Sequence, residues 1–244
     1  MELPLKASPT VSLIIPAFNE EDYIGACLDA VMKNVRPHIN EVIVVDNAST
    51  DRTAKIAGSF PGVIVVCESR KGPTHARQRG YESSTGDILV YADADTRPPV
   101  GWIEQILNEF TERNDVVCVS GPYRFYDLPK HADAAIVIWN AATKLLSFAI
   151  GYLVIGGNFA IRRDVLDSMG GFDQAIDFYG DDVDIARRAH AFGKIRYILT
   201  LTMPSSARRL KAQGLLRTGN LYAKNFFSIV THGRPHTASY EDYR

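Results

Sequence analysis

The chain has 244 residues, enough to bury a full core as one large α/β domain with a peripheral C-terminal extension. Hydrophobic residues make up 46% and charged residues 23%, the balance of a soluble globular protein, and a formal net charge of -1 leaves no cationic surplus for nucleic acid. Cys27, Cys67 and Cys118 stand far apart with no CxxC pair, so their spacing supports neither a zinc site nor a disulfide framework, and each reads as a small buried hydrophobe in a reducing compartment.

The first ten residues have no apolar run behind a positive start, so no secretory signal is expected and the chain is expected to be cytoplasmic. Residues 11–15 (VSLII) read as a first strand, broken by Pro16. Ile24, Cys27, Leu28 and Val31 then fall at helical spacing behind Glu20, Glu21 and Asp22, which favour a helix N-terminus. A second strand, 41–46 (EVIVVD), runs into the turn and N-cap residues 47–51 before a short helix around Ile56. Residues 63–67 form a third strand, followed by the loop Arg70, Lys71, Gly72 and Pro73 and a helix over 76–84. The fourth strand, 87–92 (DILVYA), ends at Asp93, and Trp102, Ile103, Ile106, Leu107 and Phe110 make a helical core stripe after it. Strands are also expected at 116–120 and 158–162, a helix at 183–192, an extended run at 194–203 and an apolar-aromatic helix at 214–230. Strands alternating with helices imply a mostly parallel sheet covered by helices on both faces.

Residues 134–157 are about long enough to cross a bilayer, yet Asn140, Lys144 and Ser147 interrupt the run. Candidate site residues lie on both sides of it, and a spanning helix would separate them, so it reads as a buried or interfacial helix. The polar tail 231–244 is expected to be mobile.

Open parallel sheets bind ligands where loops converge at the carboxyl ends of their strands. Asn19 and Glu20 follow the first strand, Asp46 ends the second, Lys71 follows the third, and Asp93 and Asp95 follow the fourth. In Asp93-Ala94-Asp95 the two carboxylates project to one side of an extended backbone, where they could share a hard divalent cation such as Mg²⁺ or Mn²⁺ with a diphosphate. Such a pair alone is common in solvated turns; its place after an apolar strand lifts it above them.

Taken in order, IIPAFNEEDYI, EVIVVDNASTDRT, ARQRG to TGDILVYADADTRP, GGNFAIRRDVLDSMGGFD and GDDVDIARRAHAFG resemble the family 2 glycosyltransferases over residues 11–197. The resemblance implies a GT-A fold, a Rossmann-like mostly parallel sheet flanked by helices, over residues 1–203, with donor binding in 1–97, acceptor binding in 98–203 and a helical extension in 204–244. It implies a metal-dependent, inverting transfer of a sugar from a nucleotide-diphosphate sugar to an acceptor hydroxyl. Pro16, Ala17, Asn19 and Glu20 match the nucleotide-binding first loop, Asp46 the carboxylate that holds the base, and Lys71 a cationic loop; Arg77 stands behind it, with a surface cation an even alternative. Asp46 could also cap the next helix, a service that Ser49 and Thr50 already offer. Asp93 matches a residue near the ribose and metal, Asp95 the metal ligand on the diphosphate.

Asp182 matches the general base, preceded by Asp181 where the family usually has Glu; two acids at a helix start could also merely favour its dipole. Gly156, Gly157 and Asn158 match a loop bordering the acceptor, with a simple turn as the alternative. Asp181 is a further candidate acceptor contact. Arg208 and Arg209 resemble basic segments near the diphosphate, whereas His232 and His236 are weak candidates for a metal site. The acceptor is expected to be a saccharide or a lipid-linked one, the latter with peripheral contact at the inner face of a membrane. Two competitors remain: a nucleotidyltransferase, disfavoured because PAFNEE is acidic where a triphosphate would need a glycine-rich, cation-ended loop, and a non-catalytic sugar-nucleotide-binding module.

Overall fold

The computed structural model describes residues 8–129, 133–176, 180–232 and 234–237. Residues 1–7 of the stretch read for a secretory signal, and residues 233 and 238–244 of the tail expected to be mobile, lie outside the described residues.

The Val- and Ile-rich runs become the strands of one sheet, and those in its middle are buried on both faces. The run 63–67 forms an edge that is only partly covered, so Cys67 is exposed there and not the buried hydrophobe expected, whereas Cys27 and Cys118 are buried. Strand β1 (Val11–Ala17) pairs in parallel with β2 (Glu41–Asp46) and β4 (Ile88–Ala92), and β2 pairs in parallel with β3 (Val63–Cys67). Beyond β4 come β7 (Asn158–Arg162), antiparallel to both its neighbours, then β5 (Val116–Ser120) and β8 (Lys194–Tyr197), giving the order β3-β2-β1-β4-β7-β5-β8.

Helices α1 (Ile24–Asn34), α2 (Thr53–Gly58) and α4 (Trp102–Glu112) share a core with Leu13 and Ile15 on one face. On the other, α3 (Pro73–Ser83), α6 (Arg163–Ser168) and α7 (Asp181–Ala189) pack with Ile14 and Ile43. This alternation of β1 residues is the period-two signature of a strand covered on both sides. The chain winds outward from β1 through β2 to β3, then crosses back to β4 on β1's other edge, and such a reversal opens a crevice at the strands' carboxyl ends.

Several details differ from the sequence expectation. Pro16 does not end β1: it pairs with Val45, and the strand continues to Ala17. Its pairing with β4 has ended at Ile14, so a residue without an N–H forfeits no ladder bond on that edge. The extended run 194–203 is two strands, β8 and β9 (Met203–Ser205), and β9 pairs in a separate two-stranded sheet with β6 (Tyr123–Phe125). The apolar stretch 134–157 is helical only within α5 (Asp133–Ile150), whose outer face is exposed rather than buried. Gly214, at φ 80°, divides the C-terminal segment into α8 (Arg208–Gln213) and α9 (Leu215–His232). No helix among the described residues is long and apolar enough to cross a membrane.

Candidate active site

A cavity of about 980 Å³ opens over the carboxyl ends of β1 and β4 and extends between α5 and α9. Pro16, Ala17, Glu20, Lys71, Arg77, Asp93, Asp95, Gly157, Asp181 and Asp182 all line it, so ten of the residues singled out by sequence meet in one space.

The loops on the donor-side strands are held by backbone and side-chain pairing. Asn19 adopts φ 50°, a conformation Asn tolerates, and its Oδ1 accepts the Thr50 amide at 2.8 Å while its own amide donates to Ser49 Oγ at 3.0 Å. Asn19 thus joins the loops after β1 and β2 and does not line the cavity. Asn47, which motif reading placed only in a turn, locks the next loop: its Nδ2 donates to the Arg70 carbonyl at 2.7 Å and its Oδ1 accepts the Gly72 amide at 2.8 Å. That arrangement sets Lys71 with its Nζ 4.7 Å from the Phe18 ring centroid, a cation–π contact at the cavity wall.

Asp46 lies beside this floor rather than in the cavity lining, and its buried Oδ1 has no hydrogen-bond partner. Leaving such an oxygen unsatisfied costs roughly 1–3 kcal/mol, which a ligand's N–H donor would relieve. The capping alternative does not apply, because Asp51 Oδ1 accepts the Thr53 amide at 2.9 Å at the start of α2.

Asp93 accepts the Tyr123 hydroxyl at 2.8 Å and lies 3.5 Å from an Arg77 nitrogen. Burial and the Asp93 charge raise the Tyr123 phenol well above its ordinary value, so it stays a donor. Arg77 is itself buried and donates to Asp181, so one guanidinium joins the end of β4 to the start of α7. Burial alone would lower its pKa; the charges of Asp181, Asp93 and Asp182 outweigh that and raise it. Gly157 passes so close that an added Cβ would sit 2.1 Å from Asp93 Oδ2 and 2.2 Å from the Tyr123 hydroxyl oxygen, so only glycine fits.

The C-terminal segment returns along Asp95: the Ser206 amide donates to the Asp95 carbonyl at 3.2 Å and the Arg97 amide to the Pro204 carbonyl at 2.8 Å. This zipper carries Arg208 onto the acidic wall. It donates to Glu20, lies 3.2 Å from Asp95 Oδ2 and stacks over the Tyr23 ring at 4.6 Å. Arg209 donates to the Tyr222 hydroxyl at 2.7 Å.

Asp182 lies in the first turn of α7 and accepts the Val183 amide at 2.9 Å. Burial first, and then the charge of neighbouring Asp181, push its carboxyl up to about 7 against the pull of Arg77 and of the Val183 and Gly156 amides. A carboxylate so placed takes a proton at neutral pH far more readily than an ordinary one.

Asn158 takes a different place from the one expected of a residue bordering the acceptor. It is fully buried outside the lining, with Oδ1 accepting Trp102 Nε1 at 2.9 Å and Nδ2 donating to the Leu201 carbonyl at 2.8 Å, and so anchors the strand beneath Gly157. His232 and His236 are exposed and outside the lining. The site residues that sequence reading missed are Asn47, which lies inside the EVIVVDNASTDRT motif but was read only as a turn, and Tyr123 with the aromatic wall of Trp139, Tyr222 and Phe226, which sit in no motif and are brought in by the tertiary fold alone.

Asp93 and Asp95 form a donor set of two carboxylates, suited to a hard divalent ion that completes its coordination on water and a ligand's phosphates. Among the described residues no group of three or more His, Cys, Asp or Glu side chains could close a cage around an ion.

The chain matches the family model described as "Glycosyl transferase family 2" over residues 12–170. It is 32% identical over 189 residues to glycosyltransferase AglE of Haloferax volcanii, which covers 74% of this chain and 61% of that protein. It is 27% identical over 205 residues to the probable glycosyltransferase YdaM of Bacillus subtilis, covering 78% and 48%. The chain therefore spans less than two thirds of the length of either relative. Among solved structures it is similar to mannosyltransferase PcManGT from Pyrobaculum calidifontis in complex with GDP-Man and Mn²⁺, at TM-score 0.64 and 25% identity over 86% of this chain and 62% of that one. Glucosyl-3-phosphoglycerate synthase from Mycobacterium tuberculosis, solved with Mn²⁺, UDP and phosphoglyceric acid, shares the fold at TM-score 0.67 and 21% identity over 95% of this chain and 81% of that one.

Proposed function

The chain belongs to glycosyl transferase family 2 and has its GT-A fold, and from that premise we propose that it transfers a sugar from a nucleotide-diphosphate donor to an acceptor hydroxyl with inversion at the anomeric carbon. The observation that carries this reading is the meeting of Asp93, Asp95 and Asp182 in one cavity, with Arg77 tying Asp93 to the residue beside the base.

The donor half, residues 1–97, holds the nucleotide. Asp46 offers its unpartnered oxygen to an N–H of the base, the Pro16 to Glu20 loop borders the nucleotide, and Lys71 meets its negative charge. Asp93 and Asp95 would hold Mg²⁺ or Mn²⁺, which when bound offsets the charge that grows on the departing diphosphate. PcManGT's bound GDP-Man and Mn²⁺ support that assignment. Arg208, beside Asp95 and Glu20, would add positive charge near the diphosphate. On the acceptor side, residues 98–203, Asp182 takes the hydroxyl proton as the oxygen attacks the anomeric carbon opposite the leaving group. The bond from that carbon to the diphosphate oxygen breaks, and the nucleotide diphosphate departs. Gly157 and Asp181 border the acceptor, which is a saccharide or a lipid-linked one, the latter bringing the chain into peripheral contact with a membrane. In the C-terminal extension, α8 and α9 border the cavity.

Nucleotidyl transfer is the poorer reading, because the first loop presents buried Glu20 where an incoming triphosphate needs cations and bare amides. The test is a thermal-shift screen of nucleotide sugars with and without Mn²⁺, since a ligand held by the folded state alone raises its melting temperature. We expect one donor to stabilise the chain, and more strongly with Mn²⁺. Stabilisation by nucleoside triphosphates alone would contradict the proposal.

A further inference from the structure

Helix α5 is built inside out. Its polar side chains turn toward the protein: Lys144 Nζ donates to the Tyr197 carbonyl at 2.5 Å, Asn140 Nδ2 to the Tyr123 carbonyl at 3.4 Å, and Ser147 is buried. Its apolar side chains turn outward, with Val137, Ile138, Leu145 and Phe148 exposed by 66%, 70%, 71% and 85%. Over residues 135–150 every exposed side chain is apolar. A surface helix in water normally has the opposite arrangement, and a continuous apolar stripe of this kind marks a surface that something covers.

The neighbouring helix indicates what covers it. Trp139 of α5 packs at Gly219 of α9, where an added Cβ would lie 3.5 Å from the ring. The exposed face of α9 carries Arg217, Lys224 and Phe227 at helical spacing. Residues 205–240 hold no Asp or Glu in a chain whose net charge is -1. Arg208 and Lys211 are paired with acids of the main domain and Arg209 with Tyr222, and Arg217, Lys224 and Arg234 are the exposed cations of the segment. An apolar stripe beside a segment of one positive sign is the pairing that binds an anionic lipid surface, whereas the face of a second copy would repel it. With no helix among the described residues long and apolar enough to cross, the fit is to a helix lying in the plane of the interface.

We propose that α5's outer face and the cationic face of α9 dock the chain on an anionic bilayer surface. The cavity between these helices then opens toward the lipid, and an amphiphilic acceptor enters with its hydrocarbon part against Trp139, Leu146 and Phe226 and its reactive oxygen toward Asp182. Only this acceptor step rests on the transferase reading; the docking stands by itself.

The test is co-sedimentation of the full chain with phosphatidylcholine vesicles, with and without phosphatidylglycerol, in the absence of donor and metal. We expect pelleting that needs phosphatidylglycerol and weakens as salt rises. Lys224→Glu should lower the partition coefficient by about fivefold or more, and Leu145→Glu with Phe148→Glu should abolish pelleting. None of these side chains lines the cavity, so each variant should keep the parent's thermal shift with UDP and Mn²⁺ or GDP and Mn²⁺, whichever the parent shows. A parent that stays in the supernatant, pelleting that ignores lipid charge, or a double variant that pellets like the parent would each overturn the docking. So would a parent dimer that the double variant converts to monomer with no lipid binding. Because pelleting is read without donor, loss of the transferase reading and loss of the docking are separate results.

Discussion

At Asp182 the burial that would suit the proposed base also weakens the fold. Burial and the nearby Asp181 charge favour its neutral form in the folded chain, so its carboxyl is raised from 3.8 to about 7. A raised folded-state pKa gives stability that is complete below the unfolded value and is lost as pH rises through the folded one. The parent should therefore lose melting temperature between about pH 4 and pH 7 on this group's account, and Asp182→Asn should be spared that loss and melt higher than the parent at pH 8. Transfer should show the mirror image. In the parent kcat/KM should climb with pH through about 7 as the base deprotonates, and in Asp182→Asn the rate should fall by about 10²–10⁴ with donor binding kept. Calorimetric scans across pH and a pH–rate profile measure the two sides. A second residue-scale prediction concerns Gly157→Ala, whose Cβ would overlap Asp93 and Tyr123. It should lose Mn²⁺-dependent donor binding in calorimetric titration while unfolding within roughly 1–3 kcal/mol of the parent. Asp93, Asp95 and Asp182 were legible as residues because their motifs are local. The Arg77 to Asp181 contact was not, since it joins side chains 104 positions apart.

Elements differ in how openly the sequence displays them. Strands β1, β2, β4 and β5 are contiguous apolar runs, and the α4 stripe repeats at helical spacing, so burial and period coincide and both could be read directly. Strands β6 and β9 are three residues each, with no period to read, and exist only because chain segments about 80 residues apart pair in the fold. For α5 the polar interruptions Asn140, Lys144 and Ser147 were visible but not that they face the protein; Asn140 and Lys144 do so by donating to the Tyr123 and Tyr197 carbonyls. The joint between α3 and α7 rests on a buried ion pair. Arg77→Leu would leave Asp181 buried without its partner, a loss of roughly 3–5 kcal/mol in urea unfolding, and Arg77→Lys should recover only part because a lone ammonium cannot span Asp181 and Asp93 as the guanidinium fork does. At the start of α7, Gly180 sits at φ 95° with its missing Cβ 1.7 Å from Ile229 Cδ1, so Gly180→Ala should loosen α9 and raise hydrogen exchange along it.

For the whole molecule, the sheet's switch between β1 and β4 decides where chemistry can happen, and the two helical additions decide what can reach it. The donor loops, the acidic pair and the base come from five separate stretches of chain, and the C-terminal return through Ser206 closes the ring by laying Arg208 across Glu20 and Asp95. On the proposed reading, that convergence gives cation-dependent donor binding on one wall and proton removal on another. Its most direct test is calorimetric titration of the cognate nucleotide diphosphate, with and without Mn²⁺, into the parent, Asp95→Asn and Asp182→Asn. We predict Mn²⁺-enhanced binding in the parent and in Asp182→Asn, and none of that enhancement in Asp95→Asn. Equal enhancement in all three proteins would contradict it.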